Sequence, residues 1–245
     1  MSSPQWSRFL SRWAIATVAM IVALIAVFGG GVGSDDTVPS AYAELVQASR
    51  HPDAYRVAMV LDAVNWVMIG GFLVGFAGLF GRFAPIRAGL LAAAGVGMAS
   101  GVIGGMLRLQ GTGELAARYA HASSDQQGVL IQSYLPLADT ITAHFQVGSL
   151  FQAAGFFLLA SVAYSAPTFP RWLAVLAAFP GLSSAYLFVR NTSEPFSFPL
   201  LMIHISLSVL LYLGVAWTFW RRIPDVELAQ VPTRQALTGD VALRP

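Results

Sequence analysis

The chain has 245 residues, 56% of them hydrophobic and only 11% charged, with a mean hydropathy of +0.64, whereas a soluble domain carries about 25% charged residues. That balance excludes a water-soluble globular fold and places the chain in lipid. The net charge of +2 and pI near 9.2 do not mark a nucleic-acid binder, because all fourteen basic residues are Arg and stand one or two at a time between apolar blocks.

The missing residue types exclude further chemistries. Without cysteine there are no disulfides, thiolate metal ligands, cysteine nucleophiles or lipidated cysteines. Without lysine there is no retinal Schiff base, no pyridoxal-phosphate linkage and no P-loop lysine.

Six apolar blocks follow in order, at residues 13–32, 57–80, 86–107, 137–164, 172–189 and 198–220. Each approaches or exceeds the roughly 20 residues that a helix needs to cross hydrocarbon. The expected fold is an all-α membrane protein: a bundle of six transmembrane helices in one domain, residues 1–223, with short extracytoplasmic helices. The first block is too long for the h-region of a signal peptide, about 7–15 residues, and reads as an uncleaved anchor.

Between the first two blocks, Ser40 offers a cap for a short helix through Val46. Glycine recurs every fourth residue at Gly71 and Gly75 in the second block and at Gly97, Gly101 and Gly105 in the third. Such stripes let backbones touch where lipid gives no hydrophobic drive to association, and they favour packing within the chain. After the third block, Ser124 or Asp125 offers a cap for a second short helix, through Ser133. The fifth block holds Pro180 and Gly181, which should kink it. The polar tail, residues 224–245, has no apolar period and reads as disordered.

Arginines orient the bundle, since short cytoplasmic loops retain them. Nine (Arg8, Arg12, Arg82, Arg87, Arg171, Arg221, Arg222, Arg234, Arg244) fall on one side, and five (Arg50, Arg56, Arg108, Arg118, Arg190) on the other. Both termini are therefore expected in the cytoplasm of a multi-pass cell-membrane protein. Trp13, Tyr55, Tyr134, Trp172, Trp217 and Trp220 lie near span ends, as residues of interfacial belts do.

Ionisable residues inside a membrane are costly and tend to face a bundle interior or a watery cavity. With this topology Asp62, His144 and His204 each lie six or seven residues inside the outer end of a span, about 9–11 Å deep. Asn65 shares the helix face of Asp62, Asp139 lies above His144, and Arg108 and Arg190 close the outer ends of their spans. The expectation is a polar cavity opening outward, with Asp62, Asn65, Arg108, Asp139, His144 and His204 as ligand-binding residues.

The stretch HFQVGSLFQAAGFFLLASVAYSAPTFPRWLAVL, His144 to Leu176, carries a His, then Gly148, then Phe156 and Phe157, then Pro170-Arg171-Trp172-Leu173. It resembles the fourth-span region of bacterial membrane proteins grouped as domain of unknown function 4386. The block from Tyr55 to Phe80 looks like that family's second span. The resemblance implies a bacterial inner membrane and about six spans, and it implies no activity.

Function remains split at this level. The first reading is binding or transport of a small polar or amphipathic ligand or lipid, with Asp62 and the histidines as contacts. The second is a non-catalytic membrane subunit packed against a protein partner through its helices. A metal-dependent hydrolase with zinc on Asp62, His144 and His204 ranks third, although no HExxH signature is present. Haem held between His144 and His204 ranks last. The residues assign no catalytic group, metal set or cofactor, and the bilayer is the one sure partner.

Overall fold

A computed structural model describes residues 3–29, 41–166, 169–189 and 198–221. Within them every regular element is helical: α1 (Ser3–Gly29), α2 (Ala43–Arg50), α3 (Pro52–Phe80), α4 (Pro85–Gly97), α5 (Ala99–Leu107), a wider π turn at Arg108–Thr112, α6 (Gly113–Tyr119), α7 (Ser124–Ser165), α8 (Arg171–Val189) and α9 (Phe198–Arg221). Five helical stretches are long and apolar enough to cross a membrane: Gln5–Val27, Pro52–Phe80, Pro85–Tyr119, Ser124–Ser165 and Ile203–Trp220. The stretch expected to form the 172–189 span is helix α8, which is not among these five.

The long helices close into a ring. α1 packs on α3, α3 on α4 and α5, these two on α7, α7 on α8, α8 on α9, and α9 back on α1. Outward faces are studded with Val22, Val67, Val96, Leu182, Leu210 and Trp217, as suits a bundle solvated by lipid tails. What then holds the helices together is close packing, and the glycines supply it. A Cβ on Gly70 or on Gly95 would stand 2.7 Å from the other's carbonyl oxygen, so α3 and α4 cross backbone to backbone. Gly71 makes room for the Trp13 indole, Gly75 for Leu10, Gly97 for Phe151, Gly101 for Trp66, and Gly105 abuts Ala63. Both glycine stripes are thus filled by the chain's own neighbouring helices.

Two cores occupy the two ends of the ring. At the end where α3 and α9 finish, Phe72, Phe76, Phe80, Phe156, Tyr212 and Phe219 form a dry aromatic mass with Leu10, Leu73 and Leu173. At the other end a smaller cluster joins Leu45, Ala48, Tyr55, Met59, Ala116 and Tyr134. The second core sits where two helices run longer than a bilayer crossing requires. α7 has 42 residues, about 63 Å, and the run from α4 to α6 has 35, about 52 Å, against a hydrocarbon thickness of about 30 Å. Their overhanging ends, with α2 packed on α6, build a helical cap over that end.

Several expectations need correction here. The connection 108–136 is mostly helix: the third span continues through the π turn into α6, and α7 starts as early as Ser124. The cap of α7 is Ser123 rather than Ser124 or Asp125, with the Gln126 side chain accepting the Ser123 N–H at 3.0 Å. No separate short helix ends at Ser133, because α7 runs on through Pro136; a proline there removes one ladder bond, which does not end a helix held by neighbours. The other short helix is α2, which starts at Ala43 and ends at Arg50. Its proposed cap Ser40 lies outside the described residues, as do Arg190 and the tail. Of the belt residues, Trp172, Trp217 and Trp220 do face outward, but Tyr55 and Tyr134 are buried. Trp13 points inward, donating its Nε1–H to the Met68 carbonyl at 2.7 Å.

Candidate functional site

The buried polar groups of the capped end gather on Arg108, the first residue of the π turn. A π turn admits an extra residue per turn and re-aims the side chains around it, which is why such turns recur at functional sites. Arg108 Nε lies 3.0 Å from Glu44 Oε1, with about a third of the Arg108 side chain and a quarter of Glu44 still exposed. The Nε–H is not aligned on that oxygen, so the pair is a charge contact rather than a forked hydrogen bond. The Arg108 guanidinium also sits 4.7 Å from the centroid of the Phe145 ring, a cation–π distance. Phe145 in turn leans on Trp66, ring centroids 5.8 Å apart.

Glu44 is held from two further sides. The Tyr55 hydroxyl donates to Oε1 at 2.6 Å and the Tyr134 hydroxyl to Oε2 at 3.2 Å. Thus α2, α3, α5 with its π turn, and α7 are tied through one carboxylate. Asp62, two turns further along α3, lies within electrostatic reach of both Arg108 and Glu44. One guanidinium thus has one carboxylate in contact and a second within electrostatic reach. One turn from Asp62, the buried Asn65 Oδ1 has no hydrogen-bond partner among the described residues, a rare condition in folded proteins, while Thr112 Oγ1 interacts with the Tyr55 hydroxyl.

Of the expected residues, Asp62 and Arg108 lie within electrostatic reach of each other, with Asn65 one turn from Asp62 on the same helix. The histidines belong to other pairs. His144 Nδ1 is 3.1 Å from Ser100 Oγ, which also approaches the His144 carbonyl at 3.0 Å, tying α7 to α5. His204 Nδ1 shares a short hydrogen bond with Ser183 Oγ, tying α9 to α8. Asp139 is exposed on α7. Among the described residues no three His, Asp or Glu side chains are grouped as a metal ion needs, so the geometry gives the zinc reading no support.

Sequence reasoning missed Glu44, Tyr55, Tyr134, Thr112 and Phe145. One signal for Glu44 was available: it stands four residues before Ala48 and beside Leu45, on the apolar face of an amphipathic helix, where an acid is out of place unless it has a buried partner. The tyrosines gave no such signal, because a Tyr near a span end is ordinary.

A ring of apolar helices closed around a polar end defines a multi-pass helical membrane protein. The chain belongs to the family described as Domain of unknown function (DUF4386), which matches over residues 15–221. No curated protein and no solved structure matches it.

Proposed function

We propose that this protein binds, and carries across or presents at the membrane, a small polar or amphipathic ligand, at the Arg108 site. The reading takes α8 as a sixth span and puts both termini in the cytoplasm of a bacterial cell, so that the capped end faces outward. The observation that carries it is the charge count: among the described residues Arg108 is the cation in contact with Glu44, and it also lies within electrostatic reach of Asp62. A partly buried site with a spare carboxylate is suited to take up one more positive charge, as a proton or as the cationic group of a ligand. Asn65 Oδ1 supplies an unpaired acceptor one turn from Asp62, and the part of Arg108 and Glu44 left exposed gives access.

The test compares wild type with Asp62→Asn, which keeps the shape and removes the spare charge. Thermal unfolding in detergent is followed with small organic cations as probes: ethanolamine, choline and putrescine. Wild type should gain stability with at least one probe, by about 2.7 kcal/mol at a hundred times its dissociation constant, and Asp62→Asn should not. No response to any of these cations, together with a marked loss of melting temperature in Asp62→Asn, would assign the cluster to structure alone.

A further inference from the structure

An open groove lies far from Arg108, on the N-terminal half of α1. It has a volume of about 450 Å³ and is lined by Gln5, Arg8, Phe9, Arg12, Trp13 and Ala16. Their spacing of three and four residues puts all six on one helix face. Two features separate this face from ordinary lipid-facing surface. Its wall is preformed: the Trp13 indole is fixed by its hydrogen bond to the Met68 carbonyl, and the Phe9 ring packs on it at 5.1 Å between centroids. Its charge is positive: Arg8 and Arg12 are both exposed, and no acidic residue shares α1 with them.

We propose that this groove binds an anionic phospholipid, with the headgroup phosphate between Arg8 and Arg12 and an acyl chain along Phe9, Trp13 and Ala16. The depth fits, since the first apolar block starts at Trp13 and the two guanidiniums stand just before it, where headgroups lie. Two arginines four residues apart match a phosphodiester through charge-assisted hydrogen bonds. A rigid aromatic wall lowers the ordering cost of seating a flexible chain. The site is independent of the Arg108 cluster and of what that cluster binds.

The experiment uses the full chain in detergent, titrated with dioleoyl phosphatidylglycerol or dioleoyl phosphatidylcholine, with bound lipids counted by native mass spectrometry and melting temperature read in parallel. Wild type should retain one phosphatidylglycerol at least tenfold more tightly than phosphatidylcholine. R8Q/R12Q should lose that preference, and R8K/R12K should keep part of it. Ala16→Phe, which leaves both charges and fills the groove, should also weaken retention. Both arginines are exposed, so lipid-free melting temperatures should stay within a few degrees of wild type. Equal retention of the two lipids, a preference unchanged in R8Q/R12Q, or displacement of the lipid by millimolar inorganic phosphate would each overturn the proposal.

Discussion

The two ends of the helical ring solve the same packing problem in opposite ways. At the dry end Phe76 touches Phe72, Phe80, Phe169 and Phe219, with ring centroids 4.9–6.0 Å apart, and the nearby arginines stay at the surface, Arg87 on Ser165 and Arg171 over Tyr164. At the capped end the arginine is central, and one carboxylate from a short helix ties four elements together. The lesson is one of tolerance. An aromatic core yields gradually as volume is removed, whereas a buried charge cluster fails when one member goes, because its partners are left uncompensated.

That contrast predicts where substitutions should hurt. Glu44→Ala removes the nearer counter-charge of Arg108, leaving Asp62, and the acceptor of both Tyr55 and Tyr134, and should cost about 3 kcal/mol, the low end of the range for breaking a buried pair because this one is partly exposed. Thermal unfolding in detergent measures it, and the variant Glu44→Leu/Asp62→Asn/Arg108→Met, which removes all three charges, should recover much of the loss. If that variant is worse than Glu44→Ala alone, the cluster is not governed by charge balance and the contrast breaks.

The dry end should behave differently. Phe76→Ala should cost about 3 kcal/mol, the lower part of the range for Phe truncation, since lipid makes packing rather than transfer from water the main loss. Phe76→Leu should lose less than half of that, in graded fashion. A loss for Phe76→Leu as large as for Phe76→Ala would deny the graded response.

The smallest effects sharpen the geometry of the capped end. Tyr55 holds Glu44 at 2.6 Å and Tyr134 at 3.2 Å, and hydrogen bonds to charged groups contribute about 1.5–3 kcal/mol when well made. Tyr55→Phe should therefore cost about 2 kcal/mol and Tyr134→Phe about 1 kcal/mol, read as melting-temperature differences. Equal losses would mean that the two phenols share the carboxylate evenly.

Composition and block length, taken from the residues alone, determined that the chain is a helical membrane protein, because the demand that lipid makes on every backbone group leaves no other use for such long apolar runs. The spacing of Gly71, Gly75, Gly97, Gly101 and Gly105 likewise announced close helix contacts, since a missing side chain at every turn has a local geometric meaning. Asp62, Asn65 and Arg108 could be singled out because charge and amide at membrane depth are expensive wherever they occur. Their partner was decided only in three dimensions. Glu44 lies 64 residues from Arg108 in the chain and reaches it because α2 folds back on α6 and the π turn. The same holds for His144 and His204: equal depth along separate helices says nothing of which way each helix is rotated, and the rotations set by packing gave one to Ser100 and the other to Ser183.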